Sequence, residues 1–232
     1  MRYAFRITHK DNIPIYLADG EIRSRAHVDP QLCTQVSYGN IINRRGDSLA
    51  RDVGFDINSY VPFYFSPATS MAYVISRGKV PVRSGEGVEL GMSTSKDMIF
   101  IVTSPSSVAE ECGVKFSNRA LNKLPMADVF DDISTLEQNV QWHLFDETPR
   151  MGRITEIGYQ GVGKYFRSTD IAGREQRGEI RSAEFLVQNA YPMRLTTCIV
   201  TQNQTVCTEL TQVMTQSSFD IPVYLKPDCF YS

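Results

Sequence analysis

The sequence has few of the residues from which proteins build metal centres and disulfide frameworks. Its 232 residues include only three histidines and five cysteines. The histidines lie far apart, at positions 9, 27 and 143, which argues against a histidine-rich metal centre. The cysteines form no CxxC pair and are scattered at positions 33, 112, 198, 207 and 229. We therefore expect reduced thiols, no disulfide framework and no bound metal.

Long apolar runs are also missing. No segment approaches the roughly 18 consecutive apolar residues that a membrane helix needs. The segment from Met1 to Arg6 leads directly into a patterned strand and does not resemble a signal peptide. We therefore expect a cytoplasmic protein without membrane association. With 42 % hydrophobic and 22 % charged residues, the chain has the composition of a globular protein, and we predict a single domain over residues 1–232.

Common nucleotide-binding and hydrolase motifs are absent or incomplete. There is no GxGxxG sequence for a Rossmann dinucleotide site and no GxSxG nucleophile elbow. The segment from Gly158 to Lys164 has the glycine and lysine spacing of a phosphate loop, but Tyr165 stands where that loop has serine or threonine. The sequence therefore argues against a P-loop and against a Rossmann cofactor site.

The formal net charge of −2 does not by itself indicate a nucleic-acid-binding protein. The charge is unevenly distributed, however. Residues 1–83 carry a net charge of +4 and residues 150–181 a net charge of +3, whereas the intervening residues 84–149 carry −7. Two basic blocks provide the local positive field that phosphate binding requires. The alternative is an ordinary scatter of charged surface residues.

Predicted strands and helices follow each other irregularly. Apolar or β-prone runs predict strands at residues 2–8, 60–65, 98–102, 183–187, 195–201 and 221–225. Helical patterns cover residues 11–18, 70–76, 106–111 and 126–145, and the first helix has Asp11 as its N-cap and Gly20 at its end. Residues 146–180 are rich in glycine and arginine and predict a long functional loop. The order lacks βαβ regularity, which favours an α+β fold with mainly antiparallel central sheets flanked by helices.

Polar side chains cluster where the first strand meets the first helix. This segment, FRITHKDNI, contains Arg6, Thr8, His9 and Asn12. A strand-to-helix junction of this kind is a suitable place to hold an amide or a phosphate. The alternative is a surface strand end followed by a capped helix.

Two further segments contain candidate ligand-binding residues. The pair Arg44 and Arg45, in IINRR, could clamp a pyrophosphate through bidentate hydrogen bonds, although most such pairs are solvated surface residues. The run YVPFYFSPATSMAY has more aromatic residues than a small core strand needs. Its Tyr64 and Tyr73 could enclose a flat ring, or they could simply pack in the core.

A carboxylate opens an apolar strand in the segment RSAEFLV. This residue, Glu184, comes directly after the basic stretch that ends at Arg181. Charged residues rarely occupy such strands without a partner or a chemical role. Glu184 is therefore the main candidate for a catalytic group, and the alternative is an edge-strand glutamate paired with an arginine.

Together and in this order, these segments resemble the DarT family of DNA ADP-ribosyltransferase toxins. Members of that family look like Y(H/R)ITHIDNL, IxxRR, YVPFYFxPRSPMLY, AEFLV and WYY in sequence order. The matching segments here are FRITHKDNI, IINRR, YVPFYFSPATSMAY, SAEFLV and the terminal DCFYS, which span nearly the whole chain. The YVPFYF and AEFLV segments are the most specific of the five.

The resemblance implies the ADP-ribosyltransferase fold, with NAD as the ADP-ribose donor. Relatives of this fold carry a His, Tyr and Glu triad on separate strands. By similarity, Tyr64 takes the place of the tyrosine and Glu184 that of the glutamate, while Arg6 stands where many relatives have the histidine. Glu184 and Arg45 would be catalytic. The NAD-binding residues implied are Arg6, Thr8, His9, Asn12, Arg45, Tyr64 and Tyr73.

The resemblance also implies an acceptor and a partner protein. Residues 150–181 precede Glu184 and would present a base of single-stranded DNA, thymine or guanine, for modification. The residues suited to phosphate contacts and base stacking are Arg150, Arg153, Tyr159, Lys164, Tyr165, Phe166, Arg167, Arg174 and Arg177. As a toxin of a toxin–antitoxin system, the chain would be held in check by a macrodomain antitoxin similar to DarG.

Three other functions fit the same residues. The acceptor could be an RNA base or a protein side chain, or the chain could be an NAD glycohydrolase that releases free ADP-ribose. From a different class, it could be a catalytically silent nucleic-acid-binding module. Hydrolysis of NAD in the absence of an acceptor would separate a silent module from an enzyme.

Overall fold

A computed structural model describes residues 1–37, 54–121, 126–164 and 176–231. Within these ranges the protein is built around an eight-stranded sheet with the strand order β15-β14-β7-β1-β4-β12-β8-β9. The strands of this sheet are β1 (Ala4–His9), β4 (Tyr60–Tyr64), β7 (Met98–Thr103), β8 (Val114–Ser117), β9 (Val129–Phe130), β12 (Glu184–Gln188), β14 (Thr196–Thr201) and β15 (Val223–Leu225). All of its pairings are antiparallel except β14 with β15. The predicted α+β class with a mainly antiparallel sheet is confirmed.

Three small sheets of two or three strands accompany the large sheet. Their strands are β2 (Glu21–Arg23), β3 (Gln35–Val36), β5 (Pro81–Arg83), β6 (Glu89–Met92), β10 (Arg150–Met151), β11 (Val162–Gly163) and β13 (Ala190–Pro192). The pairs β2–β13 and β10–β11 are two-stranded, and β3, β5 and β6 form a three-stranded sheet. The β10–β11 hairpin precedes, in sequence, the strand that begins at Glu184.

Helices cover both faces of the large sheet. They are α1 (Asn12–Asp19), α2 (Ser70–Ser76), α3 (Pro105–Ala109), α4 (Leu136–Asn139), α5 (Trp142–Phe145), α6 (Arg177–Ile180) and α7 (Gln204–Thr215). One apolar cluster joins α1, α4, α5 and α7 to one face of the sheet. A second cluster joins α2 and the C-terminal segment to the other face. No helix within the described ranges is long and apolar enough to cross a membrane.

Several predicted elements are confirmed because their sequence signals are strong and local. Strand β7 is buried at every position, as its continuous apolar run requires. Helix α2 has the predicted bounds, and Thr69 caps it by accepting a hydrogen bond from the amide of Ala72. Gly20 ends α1 in the left-handed conformation, with φ of 74°.

Asp11 is the N-cap residue of α1, as predicted, although its side chain makes no capping hydrogen bond. Two predictions about local structure were wrong. Residues 126–145 do not form one helix, because the chain extends at Val140 and the pattern is divided among β9, a 3₁₀ turn, α4 and α5. Residues 146–180 are not wholly a loop, since they contain the β10–β11 hairpin and α6. The sequence analysis also missed α7.

Candidate active site

The centre of the large sheet places two of the predicted site residues side by side and a third on a neighbouring strand. Strands β1, β4 and β12 are neighbours, and Tyr64 lies directly opposite Phe5 on one side and Glu184 on the other. Directly opposed residues of antiparallel strands project from the same face of a sheet. Tyr64 and Glu184 therefore project side by side. Arg6 follows Phe5 on β1 and so projects from the opposite face of that strand.

Glu184 is a buried carboxylate on an internal strand. Strand β12 pairs with β4 on one side and β8 on the other, so Glu184 is not the edge-strand glutamate considered as an alternative. The residue is 1 % exposed. Its backbone N–H donates to Ser117 Oγ over 2.9 Å, and the Ser117 hydroxyl donates to the carbonyl of Arg119 over 2.7 Å. These bonds fix the start of β12, from which the carboxylate projects.

Strands β1 and β4 share a single residue pair and then diverge, which opens a cleft in the sheet. Arg6 lies where they separate, and its guanidinium donates to the carbonyl of Pro62 over 3.0 Å. Two cavities of about 270 and 350 Å³ occupy this region and share part of their lining, including Arg6, Arg23, Ser24 and Arg25. We call these two cavities the cleft.

The residues predicted from the segment FRITHKDNI all line the larger cavity, but their contacts within the protein differ. Asn12 Nδ2 donates to Thr8 Oγ1 over 3.0 Å and to the carbonyl of Thr34 over 2.9 Å. The backbone N–H of Thr34 donates to Asn12 Oδ1 over 2.7 Å. Asn12 and Thr8 therefore hold the segment around Thr34 in place. His9 lines the same cavity, with its Nδ1 3.3 Å from Asp11 Oδ2.

The two tyrosines predicted to enclose a flat ring are separated in the structure. Tyr64 lines the smaller cavity of the cleft. Tyr73 lies on α2, outside the lining of both cavities, with its ring 5.5 Å from the ring of Tyr231. The Arg77 guanidinium stands over the Tyr73 ring at 5.2 Å. Tyr64 is thus placed to contact a ligand in the cleft, whereas Tyr73 is 45 % exposed outside both cavities, and its predicted contact with a ligand stays a prediction.

Several predicted residues lie outside the described ranges. Arg45 falls in residues 38–53, so the arginine pair cannot be related to the cleft. Residues 165–175 of the basic segment also lie outside the described ranges, and they contain Tyr165, Phe166, Arg167 and Arg174. Among the described residues, no three His, Cys, Asp or Glu side chains are grouped as metal ligands.

The described part of the predicted acceptor segment presents exposed cations. Arg150, Arg153 and Lys164 are all exposed. Arg150 lies opposite Gly163 in the β10–β11 hairpin, and the Lys164 N–H donates to the carbonyl of Pro149 over 2.7 Å, so both cations lie at the same end of the hairpin. This end is suited to contact phosphate groups.

Two residues of the acceptor segment have a different environment from the one predicted. The ring of Tyr159 packs against Tyr3 and Phe5, with centroids 6.0 and 5.0 Å away, so its packing does not favour stacking on a base. Arg177 is only 3 % exposed and forms an ion pair with Glu147. Arg177 therefore stabilises the fold and does not face solvent.

Arg181 connects the acceptor segment to the strand of Glu184, a contact that the sequence analysis missed. Its side chain is fully buried and donates to the carbonyl of Gly163 over 2.6 Å. Burial lowers the pKa of Arg181 to about 10. The signal for this contact in the sequence was weak, because nothing in the local pattern shows that an arginine before a strand is buried. The bond ties the hairpin to the start of β12.

Known proteins are similar to this chain in sequence. A family model described as "DarT: ssDNA thymidine ADP-ribosyltransferase, DarT" matches residues 5–231. The chain is 23 % identical over 213 residues to a "DNA ADP-ribosyl transferase" of Thermus sp. (strain 2.9), covering 91 % of this chain and 87 % of that protein. It is 24 % identical over 237 residues to a "DNA ADP-ribosyl transferase" of Mycobacterium tuberculosis (strain ATCC 25618 / H37Rv), covering 98 % of this chain and 88 % of that protein.

Solved structures share the fold. The structure of Thermus sp. 2.9 DarT in complex with ADP-ribosylated ssDNA matches with a TM-score of 0.76 at 21 % identity, covering 99 % of this chain and 96 % of that one. The complex of the same protein with NAD⁺ gives a TM-score of 0.71 at 20 % identity, covering 99 % of this chain and 98 % of that one. Thermosipho africanus DarTG in complex with ADP-ribose gives 0.67 at 17 % identity and covers 100 % of this chain but 51 % of that one.

The family model accounts for nearly all of the sequence, and it includes the strands that carry Arg6, Tyr64 and Glu184. The resemblance found from the motifs is thereby confirmed. This chain belongs to the DarT family of DNA ADP-ribosyltransferases.

Proposed function

We propose that this chain transfers ADP-ribose from NAD to a thymine base of single-stranded DNA and releases nicotinamide. The observation that carries the proposal is the buried carboxylate of Glu184, which lies directly opposite Tyr64 in the sheet, and Tyr64 lines a cavity that arginines also line. Family membership supports the reaction and, through the family description, the choice of thymine. The relatives solved with NAD⁺ and with ADP-ribosylated ssDNA support the donor and the acceptor.

Glu184 has two roles in the proposed reaction. The bond between the nicotinamide nitrogen and the ribose breaks, and positive charge develops on the sugar as in glycoside hydrolysis. The carboxylate stabilises this charge through the ribose hydroxyls. A ring nitrogen of the base then forms the new bond to the sugar, and the Glu184 carboxylate accepts the proton that this nitrogen loses.

The remaining proposed contacts divide between donor and acceptor. Arg6, Thr8, His9 and Asn12 contribute to the NAD side, since all four line the cleft. The acceptor strand approaches from the β10–β11 hairpin, where Arg150, Arg153 and Lys164 contact its phosphates. Roles for Tyr73, Arg45 and residues 165–175 stay predictions from the family resemblance.

The test is incubation of the protein with NAD and defined oligonucleotides, followed by mass spectrometry. Single-stranded DNA containing thymine should gain one ADP-ribose, whereas matched oligonucleotides without thymine, double-stranded DNA and RNA should not. Modification of a guanine-only oligonucleotide would contradict the base assignment. Release of free ADP-ribose with every acceptor left unmodified would instead show an NAD glycohydrolase.

We further propose that the chain acts in the cytoplasm as the toxin of a toxin–antitoxin pair with a macrodomain antitoxin. The support is the DarTG structure, in which a region similar to this whole chain makes up about half of a longer protein. Expression of this chain in a bacterium should arrest growth, and co-expression of a DarG-type macrodomain protein should restore it. Harmless accumulation of active enzyme would contradict the proposal.

A further inference from the structure

The segment that joins Arg181 to Glu184 is short, buried and held by backbone hydrogen bonds. Every residue in it is at most 6 % exposed. The N–H of Arg181 donates to the carbonyl of Arg177 over 2.9 Å. The N–H of Ala183 donates to the carbonyl of Ile180 over 3.0 Å, and β12 begins at the next residue. Packed interiors transmit small displacements, so the positions of Arg181 and Glu184 are coupled.

The side chain of Arg181 contacts the hairpin between two of the exposed cations proposed to hold DNA. Gly163 pairs with Arg150 in the β10–β11 hairpin, and Lys164 follows Gly163 directly. Arg181 donates to the carbonyl of Gly163 over 2.6 Å. The bond therefore holds the hairpin at the point where it presents Arg150 and Lys164 to solvent.

The same end of the hairpin leaves little room for a side chain at Gly163. A Cβ atom there would lie 3.2 Å from Glu147 Cβ, 3.3 Å from the Glu147 carbonyl oxygen and 3.4 Å from the Arg177 guanidinium. Arg177 and Glu147 form an ion pair, and their side chains are 3 % and 13 % exposed. Adding a methyl group at Gly163 would therefore shift the hairpin or its neighbours by a few tenths of an ångström.

The tip of the hairpin is attached to other parts of the protein. The Tyr3 hydroxyl donates to the carbonyl of Ile157 over 2.5 Å, and Lys226 Nζ donates to Glu156 Oε1 over 2.8 Å. Neither bond involves Arg181. The hairpin can therefore stay folded and attached when the bond from Arg181 is lost, but the end nearer to Lys164 could then shift relative to β12.

We propose that Arg181 is a positioning residue for the transfer step and that it acts through the carbonyl of Gly163. This inference rests on the proposed function, because it assumes that the hairpin presents the acceptor strand and that Glu184 accepts the proton of the base. The Arg181 side chain is fully buried and lines neither cavity of the cleft, so it acts on the reaction through other residues. Its bond fixes the distance between the hairpin that holds the strand and the carboxylate that takes the proton.

Such a role affects the rate of chemistry more than it affects binding. Proton transfer and bond formation need the reacting atoms at closely defined distances, and a displacement of about 1 Å can slow a reaction by about 10²-fold. Contacts between exposed cations and phosphates are long-range and tolerate a shift of that size. Arg181 should therefore control the rate constant for transfer and leave the affinities for NAD and DNA unchanged.

The test is single-turnover transfer to a thymine-containing oligonucleotide, with NAD saturating and the full chain in excess over the oligonucleotide. Arg181→Met keeps an unbranched side chain but has no hydrogen-bond donor. Gly163→Ala leaves Arg181 in place and displaces the hairpin by crowding Glu147. Arg194→Met is the matched control, because Arg194 is an exposed arginine that pairs with Glu111 outside the cleft and the hairpin. With enzyme in excess, a variant that is only less stable still reacts with the wild-type rate constant.

The rate constant of Arg181→Met should fall by about 10- to 100-fold, and that of Gly163→Ala by a smaller factor. The dissociation constants for NAD and for the oligonucleotide should stay at the wild-type values in both variants. Arg194→Met should match the wild type in all three quantities.

A wild-type rate constant in either folded variant would overturn the proposal, and Gly163→Ala decides alone if Arg181→Met does not fold. Weaker binding of NAD or of the oligonucleotide with an unchanged rate constant would also overturn it, because Arg181 would then act on binding. Failure of the proposed function has a different signature, since the wild-type protein itself would then transfer no ADP-ribose to any oligonucleotide.

Discussion

Replacing the Glu184 carboxylate by an amide should abolish transfer without unfolding the protein. Glu184→Gln keeps the size of the side chain, which is 1 % exposed in a well-packed strand. The hydrogen bond to Ser117 is donated by the backbone N–H of residue 184, so the variant retains it. An amide neither accepts a proton nor stabilises positive charge as a carboxylate does. Removing one such group should slow transfer by about 10²- to 10³-fold.

The folding side of the prediction is separate from the chemistry. Glutamine fills the same buried space as glutamate, so the substitution leaves no cavity. We therefore expect the free energy of unfolding of Glu184→Gln to stay within about 1 kcal/mol of the wild type. A urea titration followed by circular dichroism measures this quantity.

The decisive assay is single-turnover transfer to a thymine-containing oligonucleotide at saturating NAD. Glu111→Gln is the matched control, since it makes the same chemical change in an exposed glutamate paired with Arg194. The control should transfer at the wild-type rate. Transfer by Glu184→Gln within a factor of a few of the wild type, with the variant folded and binding NAD, would refute the catalytic assignment.

Three further outcomes are expected. Replacing Arg153 and Lys164 together by alanine should weaken oligonucleotide binding and leave NAD affinity unchanged. The slope of log K for the oligonucleotide against log salt concentration should become shallower by about 1.4, because each phosphate contact to a single strand contributes about 0.7. Titrations at several salt concentrations check this. Arg177→Ala should lower the free energy of unfolding in urea by up to about 3 kcal/mol, because it removes a side chain that is 3 % exposed and breaks its ion pair with the partly buried Glu147, and a loss near zero would contradict that reasoning. Burial raises the pKa of both the Cys198 and Cys229 thiols to about 12 from 9.0. The contribution of these protonated thiols to the free energy of unfolding is present in full below pH 9.0 and is lost as the pH rises toward 12. For the two thiols together the loss is at most about 2.7 kcal/mol per pH unit. A free energy of unfolding that does not fall between about pH 8 and 10 would contradict this.

Strong local patterns allowed much of the central sheet to be predicted. The uninterrupted apolar run of β7 and the aromatic run of β4 leave few alternatives to a buried strand. Helix α7 was missed because its sequence, QTVCTELTQVMT, has a threonine-rich polar face and few strong helix formers. The tertiary contacts of Val206, Leu210 and Met214 with the sheet stabilise it instead.

The helical spacing of apolar residues in 126–145 predicted one continuous helix, whereas the structure has short separate turns there. These apolar side chains are indeed buried, but they pack from short separate turns. Trp142, for example, lies edge-on to Phe65 with ring centroids 5.3 Å apart. Periodicity reports which side chains are buried, and it does not report whether the backbone between them is continuous.

The candidate site was predictable only in part. Glu184 stood out as a charged residue that opens an apolar strand, whereas Tyr64 and Arg6 received their places from the family resemblance. Ser24 and Arg25 gave no such signal, because the cleft that they line exists only where β1 and β4 diverge. A site produced by the separation of two strands depends on long-range geometry that a linear pattern does not contain.

The bond from Arg181 to the hairpin has a consequence for which substitutions this chain can accept. Its acceptor is the main-chain oxygen of Gly163, so the bond does not depend on the exposed side chains of the hairpin. The hairpin can therefore exchange its exposed side chains, among them Arg153 and Lys164, while this anchor to the strand of Glu184 is kept. If the hairpin contacts the DNA as proposed, new sequence preferences can evolve on it without disturbing the carboxylate. Substitution of Arg181 itself would remove that freedom, because the anchor would then be lost.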